Sequence, residues 1–140
     1  MKNRIKELLH YLKEKHVVVI TLVSIVFLTV SFLNAHNDAA TFDEIAHIPA
    51  GYSYLTQNEM RLNPEHPPLI KNLSAFPLIF MNLNFDLTQP FWSGDLPKKW
   101  DEGQWAAGRH LLWENNNDPD KIIFWSRVPI VILYLLLGLF

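Results

Sequence analysis

Two uncharged apolar runs dominate the pattern of the chain. The first covers residues 17–33 (VVVITLVSIVFLTVSFL) and the second residues 128–140 (VPIVILYLLLGLF), with nearly all charge before or between them. A bilayer core about 30 Å thick takes about 20 apolar residues at about 1.5 Å of helical rise each. The first run, extended by Asn34 and Ala35, is long enough to span. The second covers only about 20 Å at the same rise, and lipid offers unpaired backbone groups no partner. It therefore reads as the start of a second span within which this chain stops.

The polar segments give the rest of the layout. Ile5 to Lys15 has Ile5, Leu8, Leu9 and Leu12 at helical spacing, which predicts a short amphipathic helix whose lysines suit a membrane surface. Lys2, Arg4, Lys6, Lys13 and Lys15 precede the first run, and the positive-inside tendency places them in the cytoplasm. A cleaved signal peptide would have a shorter apolar stretch and a small residue at −3. Leu33 fills that position if Ala35 is the last residue removed, so an uncleaved anchor is the better reading. The expected fold is mostly α and integral to the membrane. It comprises a cytoplasmic basic amphipathic segment (1–16), a transmembrane helix (17–35), an extracytoplasmic loop with juxtamembrane surface helices (36–122), and the start of a second transmembrane helix (123–140).

Within the loop, Thr41-Phe-Asp-Glu44 matches a capping box ahead of a helix from about Phe42 to Gln57. Pro49 predicts a kink or break near Ala46. Leu69 to Leu83 is apolar but short and interrupted at Pro77, as suits a helix lying on the bilayer surface. Asp86 to Pro97 reads as a loop, Glu102 to Trp113 as a helix, and Asp120 as the cap of the helix that becomes the second span. Trp92, Trp100, Trp105, Trp113 and Trp125 favour a loop that hugs the outer leaflet.

Composition removes several classes of function. The chain has no cysteine, hence no disulfide framework, no thiol chemistry and no cysteine zinc site. A net charge of −2 and the lack of a basic stripe with interleaved aromatics argue against nucleic-acid binding. No glycine-rich phosphate loop, nucleophile elbow or dinucleotide fingerprint occurs.

Three groupings carry candidate chemistry. Asp43 and Glu44 follow the first span directly. Neighbours on a helix point about 100° apart, so they serve two ligands or split acting from positioning; equally, acids in a first turn simply favour the helix dipole. Glu65-His66-Pro67-Pro68-Leu69, followed by Lys71, sets a histidine and a lysine where they can hold a phosphate oxyanion. The competing view is a proline-rich turn with a lysine reaching out to headgroups. Glu44 or Asp43 with His47, completed by His36 and His66, has the spacing of a metal site, but the second half of a di-iron pattern is missing.

The order of these features resembles the start of the polyprenyl-phosphate-dependent glycosyltransferases of the C-type superfamily. It is most similar to the protein O-mannosyltransferase and aminoarabinose-transferase branch. The family's outer-loop Asp-Glu pair is matched by Asp43 and Glu44 in TFDEIAHIPAGYSYL, and its His-Pro-Pro-Leu segment by His66 to Leu69 in NPEHPPLIK. Arg127 stands at the entrance to the second span. The resemblance implies transfer of a sugar from a polyprenyl-phosphate donor to an acceptor hydroxyl on a protein, glycolipid or glycan, with inversion, on the outer side of a bacterial plasma membrane. It implies Asp43 as general base, Glu44 as the residue that positions the acceptor or orients the site, and His66 with Lys71 at the donor phosphate. No cofactor is implied, and a divalent metal is left open. Later outer loops supply further residues in the family, so this segment alone is expected to be inactive. The alternatives are a membrane-anchored scaffold with a Trp-rich outer domain and, if cleavage occurs near Ala35, a secreted binding domain.

Overall fold

A computed structural model describes residues 2–94 and 100–140. These residues are mostly helical, with no strand among them. Two helices, Glu14–Asn37 and Pro119–Leu139, are long and apolar enough to cross a membrane.

Helix α1 (Lys2–Asn37) joins the expected amphipathic segment and the first span into one rod. Nothing between Lys13 and Val17 can break a helix, since neither glycine nor proline occurs there. Of the expected apolar face before Lys15, Ile5 alone has a described side chain, and it is exposed. From Val17 onward the apolar side chains stay largely uncovered by protein, with Val26 63% exposed. This apolar surface is uncovered except where α6 packs on it, which is compatible with a lipid environment.

Helix α2 (Phe42–Gln57) starts and ends where its sequence pattern predicts. Glu44 Oε2 accepts from the Thr41 backbone N–H at 2.8 Å, one half of the capping box. Asn58 ends the helix in the left-handed region at φ 54°, a conformation asparagine tolerates. The expected break near Ala46 does not occur, and the helix runs on through Pro49. Proline removes the donor that the Ile45 carbonyl would have used four residues back. Tertiary packing covers that carbonyl instead: Gly108 presses so close that a Cβ there would lie 1.9 Å from the Ile45 oxygen.

Helix α3 (Pro68–Ala75) continues as a 3₁₀ turn at Phe76–Phe80, so the interruption expected at Pro77 is a tightening of the helix. A one-turn helix, α4 (Pro90–Ser93), lies within the segment expected to be loop, whose last positions, 95–97, fall outside the described residues. Helix α5 (Trp100–Arg109) passes into a π-helical turn at His110–Glu114. Helix α6 (Pro119–Leu139) is capped by Asp118, not Asp120. Asp118 Oδ1 accepts from the Lys121 N–H at 3.1 Å, and Pro119 takes the first helical position, where a missing N–H is harmless.

Helix α2 is the centre of the packing. One core cluster joins Ile48 and Tyr52 of α2 to Ala75, Leu78, Leu111, Leu112, Ile122 and Ile123. A second joins Ala50 and Tyr54 to Leu62, Phe91 and Ala107. Two glycines permit the close crossings: Gly108 brings α5 onto α2, and Gly51 brings α2 onto α3, where a Cβ would lie 2.2 Å from the Lys71 carbonyl oxygen. Helix α6 then packs on both α1 and α3, fixed by the Ser74 hydroxyl donating to the Ser126 carbonyl at 2.7 Å. Of the five tryptophans, Trp113 and Trp125 are exposed, while Trp105 stacks on Phe42 and Trp92 lies beneath the Arg61 guanidinium. The Trp100 side chain lies outside the described residues.

Candidate functional site

A groove of about 840 Å³ opens where α1, α2, α3 and α6 meet. Its two ends differ in chemistry. Phe27 of α1 and Ile130, Val131 and Tyr134 of α6 line the end between the two long helices. Glu44, His47, His66, Lys71 and Arg127 line the end at the loop.

Arg127 is the hub of the polar end. Its Nε donates to Glu44 Oε1 and one terminal nitrogen to Glu44 Oε2, both at 2.7 Å. That nitrogen also donates to the Ala39 carbonyl at 2.8 Å, and the other donates to the carbonyls of Asp38 at 2.8 Å and Ala35 at 3.3 Å. All five guanidinium N–H groups are thereby engaged. A helix ends with carbonyls that lack internal partners, and Arg127 satisfies such carbonyls at the end of α1 while gripping the first turn of α2. Burial pushes the Glu44 carboxyl up, but the hydrogen bonds from Arg127 and the Thr41 N–H outweigh it and hold the carboxyl below its usual range.

Lys71 departs from both readings of its sequence. It neither reaches to headgroups nor presents a free ammonium, being only 3% exposed. Its Nζ donates to the Asn63 carbonyl at 2.6 Å, Asn63 Oδ1 at 2.7 Å and the Tyr54 hydroxyl at 3.1 Å, which uses all three of its protons. The Tyr54 hydroxyl in turn donates to the Asn63 carbonyl at 2.6 Å, and Asn63 Nδ2 donates to Gln104 Oε1. Burial pulls the Lys71 ammonium below its usual range.

The two imidazoles complete the polar end. His47 and His66 meet edge to face with ring centroids 5.4 Å apart. His66 is half-exposed, with Nε2 3.5 Å from Glu65. Burial first, and then the Lys71 charge, pull His47 below its usual range.

Three of the four residues singled out by sequence, Glu44, His66 and Lys71, therefore line one groove. Asp43 is exposed beside it and does not line it, as its position about 100° round the helix from Glu44 requires. His36 lies against Phe124 and Asn37, apart from His47 and His66. Among the described residues, no group of three or more His, Asp or Glu side chains is placed to hold a metal ion. Sequence reasoning missed the role of Asn63 and Tyr54 as the cage of Lys71, and noticed His47 only as a metal ligand. Its place one turn after Glu44, on the same face, was the available signal.

No protein-family model, curated protein or solved structure matches the chain.

Proposed function

We propose that this chain is the donor-binding segment of a membrane glycosyltransferase that moves a sugar from a polyprenyl phosphate to an acceptor hydroxyl. In this reading α1 and α6 span the membrane, with the amino terminus in the cytoplasm and the loop outside. The observation that carries it is the groove: an apolar channel between two membrane-length helices that ends among histidines, a lysine and an arginine. A lipid phosphate has the matching two-part chemistry, with the chain along Phe27, Ile130 and Val131 and the phosphate at the polar mouth.

In the proposed reaction the acceptor oxygen bonds to the anomeric carbon from the face opposite the phosphate, whose bond to that carbon breaks. The acceptor proton passes to Asp43, which is exposed and free to reach it. Glu44 acts as a positioning group, since Arg127 holds its carboxylate. The resemblance assigns further residues to later outer loops, so transfer belongs to the complete enzyme. The test is glycosyl transfer by the complete enzyme carrying Asp43→Asn. Loss of transfer with donor binding retained supports the assignment, and undiminished transfer removes Asp43 from the base role.

A further inference from the structure

Of the basic side chains at the mouth of the groove, two are committed to the protein. Arg127 spends its five donors on Glu44 and backbone carbonyls, and Lys71 spends its three on Asn63 and Tyr54. His47 and His66 remain. Both line the groove, and no hydrogen bond to either imidazole is found among the described residues apart from the long His66–Glu65 approach. Their ring centroids lie 5.4 Å apart, close enough for the oxygens of one phosphate to reach both rings. They also come from different elements. His66 precedes the Pro67-Pro68 start of α3, whereas His47 sits inside α2, where helix geometry and the buried neighbours Ala46 and Ile48 hold its direction.

We propose that His47 and His66 together form a two-imidazole seat for the phosphate of a single-chain prenyl monophosphate, with His47 the more rigid of the two contacts. Arg127 and Lys71 shape the seat and supply a positive background without touching the phosphate. This rests on the donor-groove reading above and adds to it a residue that the resemblance leaves without a role.

The test is binding of farnesyl monophosphate to the full chain in detergent micelles, followed by the ³¹P shift of the ligand, with farnesol and inorganic phosphate as separate probes. The wild type should hold farnesyl monophosphate about tenfold more tightly than farnesol, and inorganic phosphate should not compete at equal concentration. His47→Ala should lose most of that tenfold preference while binding farnesol as the wild type does, which also reports that the groove is folded. His47→Arg should restore the preference by supplying a permanent cation. Unchanged binding of farnesyl monophosphate by His47→Ala, with loss in His66→Ala, overturns the role of His47 and leaves the donor groove standing. Failure of the wild type to bind either prenyl compound removes the donor groove, and this inference with it. Competition by inorganic phosphate at equal concentration assigns the seat to free phosphate and overturns the lipid ligand.

Discussion

Arg127 and Glu44, eighty-three positions apart in the chain, meet in a two-point ion pair that ties the start of α2 to α6. Their side chains are 15% and 24% exposed, so the pair is shielded enough to matter and still edges the groove. Single replacement leaves a partly buried charge without its partner, which is the costly case. Glu44→Gln and Arg127→Gln should each destabilise the chain by about 3 kcal/mol, the low end of the range for breaking a buried pair. The double variant should cost less than the sum of the two. Reversible unfolding in mixed micelles measures this double-mutant cycle, and strict additivity would show that the pair contributes nothing of its own.

The same pair sets a response to acid. The Glu44 carboxyl is held below 4.5 in the folded chain, so the unfolded chain takes up the proton first. Its stabilisation is therefore complete above 4.5 and disappears as pH falls through the lowered value. His47 acts in the same direction at a higher pH. Its folded value lies below 6.5 through burial, Lys71 and His66, partly opposed by Asp43 and Glu65. Stability should thus also fall as pH drops from 6.5 toward that lowered value. Unfolding measured from pH 7 to pH 3 should show both losses, the upper one missing in His47→Asn and the lower one reduced in Glu44→Gln. Asp86 and Asp118, also held below their usual range, supply the remainder of the lower loss.

The glycine crossings give a sharp steric prediction. A Cβ at Gly108 or Gly51 would meet backbone carbonyl oxygens at 1.9 and 2.2 Å, and backbone cannot swing aside as a flexible side chain can. Gly108→Ala and Gly51→Ala should each cost at least about 2 kcal/mol, within the usual range for overpacking or above it. Gly138→Ala, which meets nothing within 4 Å, should be neutral or slightly stabilising through helix propensity. Equal melting temperatures for all three variants would contradict the close approach of α5 and α3 to α2.

Lys71 offers a test of structural against ligand-binding use. Lys71→Met keeps the stem but leaves Asn63 Oδ1 without its buried donor, while the Asn63 carbonyl keeps the Tyr54 hydroxyl, at a cost of about 2 kcal/mol. Affinity for farnesyl monophosphate should fall far less than in His66→Ala, because the Lys71 protons already point at protein. An equal loss in the two variants would return Lys71 to the phosphate.

Local pattern was enough for the bounds of α2 and for the first apolar span. The capping box at Thr41–Glu44 and the asparagine after Gln57 are contained in adjacent residues, and α2 begins and ends as they dictate. The apolar content of 17–33 likewise sets a helix of membrane length, because transfer of side chains out of water depends on composition and length. The run 128–140 alone is too short, and α6 reaches that length only by beginning at Pro119. Asp118 and Asp120 both suit the cap of α6, and the Pro119 at the first helical position selects Asp118.

Long-range partners were decided only by the tertiary structure. Nothing near Lys71 in the chain shows that Asn63 and Tyr54 will cage it, with Gln104 behind Asn63, and nothing near Pro49 shows that Gly108 will cover the carbonyl that proline leaves without a donor. The sequence by itself determined which residues carry charge, which stretches avoid water and where α2 starts. Folding determined which of those charges are spent on the protein: Arg127 and Lys71 are, and His47 and His66 are left facing the groove. The physical reason is that a hydrogen-bond donor has a fixed capacity, and only the packed arrangement of α1, α2, α3 and α6 settles which acceptors reach it first.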